Sequence, residues 1–117
     1  MKINEIITES TQQPIVAYHG NQGGIDIKNL QTPMWWCEDR ESAEYYVGDD
    51  GFILTATLHC KNPYVIKRGE DEANHALERW RELEQKGYDS IHDPEVGDWI
   101  PFYSKDITVT DEEYVSN

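Results

Sequence analysis

One stretch of this chain carries helical periodicity over more than two turns, and it dictates the class of fold. Across residues 70–86, Ala73, Ala76, Leu77, Trp80 and Leu83 recur at three- and four-residue steps. Glu78, Arg79, Arg81, Glu82, Glu84, Gln85 and Lys86 occupy the remaining positions, so one face is apolar and the rest is solvated. Gly87 follows where a helix C-cap belongs. A stripe of this kind is stable only when buried against another layer, and the rest of the chain reads as short strands and turns.

The strands come in an irregular order. Pro14-Ile15-Val16-Ala17-Tyr18-His19 has the β-branched and aromatic make-up of a buried strand, and Gly20, Gly23 and Gly24 end it in a loop. Met34-Trp35-Trp36-Cys37 is a second short apolar strand. Arg40 to Val47 suits a short helix with an acidic N-cap at Glu38-Asp39 and a stop at Gly48. Phe52 to Cys60 alternates most cleanly, with Phe52, Leu54, Ala56 and Leu58 on one face. Asn62-Pro63 is a turn before Tyr64-Val65-Ile66. After the long helix come a short strand or turn at residues 88–92, a loop at 93–97, and a strand from Asp98 to Tyr103 that Pro101 assigns to an edge or bulge. Residues 107–110 form a last strand and the acidic tail frays. The order β, β, α, β, β, α, β, β is that of a single α+β domain over residues 14–117, with residues 1–13 as a separate leader.

Composition narrows the function classes. The chain has 117 residues, which supports one modest core. Four Trp, seven Tyr and two Phe are incompatible with a disordered chain. Ten Lys and Arg stand against 23 Asp and Glu, a formal net charge of −13, which opposes direct binding of duplex nucleic acid. The same charge suits a basic protein partner or imitation of DNA. No apolar run approaches the ~20 residues of a membrane span. Met1 to Ile7 lacks the apolar core of a secretory signal, so a cytoplasmic protein is expected.

Most chemistry-bearing patterns are missing. His19, His59, His75, His92, Cys37 and Cys60 show no metal-ligand spacing, and no metal is expected. Ser42 and Ser90 lack a nucleophile-elbow context, Cys37 sits in an apolar strand, and no phosphate-binding glycine loop is present. What remains is a dispersed trio: His19 at a strand end, Tyr45-Tyr46 on the first helix, and Asp98 opening a late strand.

In order and context, these residues resemble the His-Tyr-Glu branch of the ADP-ribosyltransferases. Tyr18-His19-Gly20 after an apolar strand is similar to that family's opening motif. Trp35-Trp36-Cys37, followed by a helix reading Ser42-Ala43-Glu44-Tyr45-Tyr46, is similar to its second. Asn62-Pro63, a helix, and Gly87-Tyr88-Asp89-Ser90-Ile91 resemble a stretch of small phage and mobile-element transferases. Asp98-Trp99-Ile100-Pro101-Phe102 matches their closing strand. The resemblance spans residues 15–109 and implies a minimal transferase fold: two small antiparallel sheets packed face to face with flanking helices.

It also implies roles. His19 would hydrogen-bond the adenosine ribose of NAD, with the Gly20 backbone beside the nicotinamide amide. Tyr46, or Tyr45 in the other register, would stack on the nicotinamide ring, and Trp36 and Ser42 join them as NAD-contacting positions. Asp98 stands where the family has its catalytic Glu, which stabilises the oxocarbenium ion that forms as the glycosidic bond breaks. Asp is one methylene shorter, which displaces the carboxylate by about 1.5 Å at fixed backbone. A misplacement of ~1 Å can cost ~100-fold in rate. Glu95 is the substitute if its loop curls back, and Arg40 or a lysine is the cation that a dinucleotide phosphate would need.

The leader adds a further resemblance. Ile3-Asn4-Glu5 and Ile7-Thr8-Glu9 fit the Ile/Leu-x-Glu pattern cut by prohead proteases of large tailed phages, whose injected internal proteins carry such capsid-targeting segments. Two functions are therefore expected. One is an NAD-dependent mono-ADP-ribosyltransferase of phage or mobile-element type that modifies a host macromolecule. The other is a non-catalytic acidic interaction protein, a degenerate transferase fold or DNA mimic that inhibits a host or defence protein.

Overall fold

A computed structural model describes residues 14–67 and 73–116. The leader at 1–13 and the first residues of the expected long helix, 70–72, lie outside the described residues. Among the described residues, seven strands and three short α-helices alternate irregularly: β1 (Ile15–Asn21), β2 (Trp36–Cys37), α1 (Arg40–Tyr45), β3 (Asp50–Leu58), β4 (Pro63–Val65), α2 (Ala73–Glu78), α3 (Trp80–Gln85), β5 (Ser90–Asp93), β6 (Asp98–Pro101) and β7 (Ile107–Ser116). The α+β class follows directly.

The strands form one mixed sheet in the order β4-β5-β6-β2-β1-β3-β7, not two antiparallel sheets face to face. Two features account for the difference. The two-residue strand β2 joins the halves, pairing with β1 only through Tyr18 and Cys37, and with β6 through Trp36–Trp99 and Cys37–Asp98. And β4 runs parallel to β5, with α2 and α3 as the crossover that a parallel pair requires.

The long helix is broken. At Arg79 the backbone leaves the helical region (φ −117°, ψ 31°), and α3 restarts at Trp80. There the Arg79 guanidinium lies against Tyr64, with its carbon 5.6 Å from the ring centroid. Ala73, Ala76 and Leu83 still reach a shared core with Ile66, Ile91, Ile100 and Phe102, so the apolar stripe is used as expected. Gly87 ends α3 at φ +100°; its N–H donates to the Glu84 carbonyl at 2.9 Å, and that of Tyr88 to Leu83 at 3.1 Å. This double closure requires a residue that tolerates the left-handed region.

A second core lies on the opposite face of the sheet: Ala17, Met34, Trp36, Leu54, Ala56, Leu58, Trp99 and Ile107. The loop between β1 and β2 contributes Ile25 and Leu30 to it. Trp99 and Ile100 are neighbours on β6 and go to different cores, as strand alternation demands.

Two expectations about the end of the chain need correction. Strand β6 is interior, not an edge; Pro101 is its last residue, and its carbonyl accepts from the Met34 N–H at 3.3 Å. The acidic tail does not fray: β7 continues to Ser116, paired with β3 back to Asp50. A bulge between Thr55 and Ala56 leaves Thr110 as the extra residue, and its hydroxyl donates to the Thr55 carbonyl at 3.2 Å. The Phe52 and Tyr114 rings meet edge-on at 5.5 Å and tie the far end.

The Asn62-Pro63 and Gly87-to-Ile91 segments belong to one clasp. The Asp89 carboxylate accepts from the Lys61 N–H at 2.7 Å and the Asn62 N–H at 3.1 Å, while the Asn62 side-chain amide donates to the Gly87 carbonyl at 2.8 Å. These residues close the crossover between β4 and β5.

Candidate functional site

The narrow join in the sheet positions the site. Tyr18, Cys37 and Asp98 are paired in register across β1, β2 and β6, so all three lie on one sheet face. His19 follows Tyr18 and belongs by alternation to the other face. Its imidazole bonds across the place where β1 and β2 stop pairing. Nδ1 lies 2.7 Å from the Trp35 carbonyl oxygen, an acceptor, so Nδ1 carries the proton. Nε2 of the neutral ring is then an acceptor directed away from that bond.

A hollow of about 420 Å³ lies over this join, lined by Tyr18, His19, Gly20, Trp35, Cys37, Tyr46 and Asn74. Its size is that of an ordinary small-molecule site. A second hollow, about 520 Å³, is lined by the 24–34 loop together with His19 and Trp35. His19 and Trp35 therefore border both.

Helix α1 supplies Tyr46. Asp39 starts it, its carboxylate accepting from the Glu41 N–H at 3.1 Å and the Ser42 hydroxyl at 3.0 Å. The helix lies so close to β1 that a Cβ on Gly20 would collide with the Ala43 carbonyl oxygen. Only glycine at position 20 lets α1 approach and bring Tyr46 to the hollow.

Asp98 does not line this hollow but contacts two residues that do, Trp35 and Cys37. Burial raises its carboxyl above the usual range, opposed by hydrogen bonds from the Trp35 and Cys37 side chains. Burial pushes the Cys37 thiol up to about 11, with the nearby Asp98 charge acting in the same direction.

The expected residues divide into two groups. His19, Gly20 and Tyr46 line the hollow, and Asp98 contacts two of its lining residues. Tyr45 and Ser42 instead line a third, shallower depression with Asp39, Glu41 and Tyr46. Trp36 is 0% exposed, in the core of the opposite face, its ring 5.6 Å from that of His19. Glu95 is exposed in the 94–97 turn and lines none of these hollows. Arg40 is held by Glu44 at 3.2 Å and Glu113 at 2.7 Å. Among the described residues, no lysine or arginine lines the two larger hollows.

Four lining residues were missed as ligand contacts: Tyr18, Trp35, Cys37 and Asn74. Alternation places Trp35 with Cys37 and opposite Trp36, but which of two adjacent tryptophans is buried depends on the pairing with β6. Asn74 falls on the polar side of its helix and carries no sequence signal.

Among the described residues, no helix is long and apolar enough to cross a membrane, and no group of three His, Cys, Asp or Glu side chains is placed to hold a metal ion. Comparison with protein-family models gives no match, and comparison with curated protein sequences gives none either.

Proposed function

We propose that this protein is an NAD-dependent mono-ADP-ribosyltransferase of phage or mobile-element type that modifies a host macromolecule. The observation that carries the reading is that His19, Gly20, Trp35, Cys37 and Tyr46, from separate segments of the chain, line one hollow, and that Asp98 contacts two of them, Trp35 and Cys37. The resemblance to the transferases supplies the chemistry, and kinship with the minimal transferase fold is part of the proposal.

Each residue has a defined task in this reading. His19 Nε2 accepts from a ribose hydroxyl, while the Trp35 carbonyl holds the tautomer. Tyr46 covers the nicotinamide ring. As the C1′–N bond breaks, its electron pair moves to the nicotinamide nitrogen, and the ionised Asp98 carboxylate faces the positive charge developing on the sugar. The acceptor atom then bonds C1′ and releases its proton to solvent. The leader at 1–13, outside the described residues, would deliver the protein from a capsid into the host cytoplasm.

The test is ligand-observed NMR of the whole protein with NAD, followed for hours. Saturation transfer to the nicotinamide and adenine protons together with accumulating free nicotinamide supports the reading, provided that His19→Ala and Asp98→Asn abolish the release. Absence of both signals refutes it. One observation favours the non-catalytic reading: no described cation lines either larger hollow to meet a pyrophosphate. Salt-sensitive capture of a basic protein, indifferent to NAD, would establish that alternative.

A further inference from the structure

Helix α1 turns two aromatic rings outward. Tyr45 is 83% exposed and Tyr46 is 60% exposed. Their centroids are 5.4 Å apart and their planes stand at 89°, an edge-to-face contact that makes a corner of the two side chains. The depression beside them, about 300 Å³, is lined by Asp39, Glu41, Ser42, Tyr45 and Tyr46. Exposed aromatic surface of this kind with carboxylates at the rim attracts a cation that stays partly hydrated. The nearest described cation on the helix, Arg40, is held by Glu44 and Glu113 and does not line the depression.

We propose that this corner docks a cationic side chain of a basic polypeptide partner, arginine in preference to lysine. Charge complementarity identifies the occupant: the chain carries −13, and the corner has carboxylates but no basic lining residue. Preference for arginine follows from its planar guanidinium, which stacks on a ring while its N–H groups reach a carboxylate; an ammonium remains more strongly hydrated. Because Tyr46 borders both this corner and the hollow over the sheet join, the docked residue lies beside that hollow. Only its identification as the acceptor rests on the transferase reading; the docking itself does not.

The experiment is an NMR titration of the whole protein, without NAD at physiological salt, with a short Gly-Arg repeat peptide, its Gly-Lys counterpart and AMP. Docking predicts that the arginine peptide shifts the Tyr45 and Tyr46 ring signals and binds more tightly than the lysine peptide. Tyr45→Ala should weaken binding roughly 3- to 30-fold, the range set by exposed to partly desolvated cation–π contacts. Tyr45→Phe, which keeps the ring, should retain it, and the exposure of this side chain makes both variants compatible with folding. Binding that Tyr45→Ala leaves unchanged, shifts confined to the acidic β7 strand, no binding, or a Tyr45 response to AMP alone would each overturn the proposal. A protein that releases nicotinamide from NAD but ignores the peptide refutes the docking corner alone. One that docks the peptide at Tyr45 but ignores NAD refutes the transferase reading alone.

Discussion

His19 Nδ1 donates to the Trp35 carbonyl oxygen at 2.7 Å, bridging the place where β1 and β2 cease to pair. A side chain here does what a ladder hydrogen bond does elsewhere in the sheet, and the same ring borders both larger hollows. His19→Ala should therefore lower stability by about 1–3 kcal/mol, the cost of leaving a part-buried carbonyl unpaired. Urea denaturation measures it, and a change below about 0.5 kcal/mol would show that the bridge does not hold the two halves of the sheet.

Asp98 is the residue at which chain length and chemistry conflict. If the missing methylene limits catalysis, Asp98→Glu should raise nicotinamide release, by up to ~100-fold for a misplacement of ~1 Å. A glutamate variant no faster than wild type would show that the aspartate already reaches the sugar.

The same carboxyl makes a pH prediction. Its pKa is raised in the folded protein, so the fold binds this proton more tightly than the unfolded chain does. Its contribution to stability is full below the unfolded value near 3.9 and is lost as pH rises through the folded value. Asp98→Asn should accordingly melt higher than wild type at pH 7, with the gap closing toward pH 4. A gap that widens on acidification would reverse the sign and point to a stabilising ion pair.

Gly20→Ala and Gly24→Ala form an internal comparison. A Cβ at position 20 meets the Ala43 carbonyl, whereas one at position 24 has nothing within 4 Å. The first should cost about 1–3 kcal/mol or more as α1 is pushed off the sheet; the second should stay within about 0.5 kcal/mol. Equal effects in chemical denaturation would mean that α1 does not rest on β1 as described.

Both cysteines should be poorly reactive in the native state. Burial pushes Cys37 up to about 11 and Cys60 up to about 12. Against an ordinary thiol near 8.5, the native thiolate fraction at neutral pH is lower by roughly 100-fold or more. Labelling by a thiol reagent at pH 7.5 should therefore be slow and become fast in urea. Rapid native labelling of Cys37 would show that its thiol is not buried as described.

Local chemistry alone accounts for much of the fold. The Asp39 cap, the Gly87 closure, the alternation of β3 and the apolar stripe from Ala73 to Leu83 depend on residues within a few positions of one another, and each is readable along the chain. His19, Tyr46 and Asp98 stand out as candidates through the resemblance to the transferases, each being a weak signal alone. Long-range pairing decided the rest. Asp111, Glu112 and Glu113 read as a solvated tail, but their backbones pair with β3 and the strand is anchored by Tyr114 on Phe52. Trp35 and Trp36 are indistinguishable by composition; the pairing of Trp36 with Trp99 buries one and leaves the other at the hollow. The break at Arg79, the single sheet and the bond from His19 to the Trp35 carbonyl depend likewise on contacts between residues distant in the chain. A sequence pattern records which faces are apolar and where turns fall, while register and the meeting of remote side chains are settled only when the whole sheet closes.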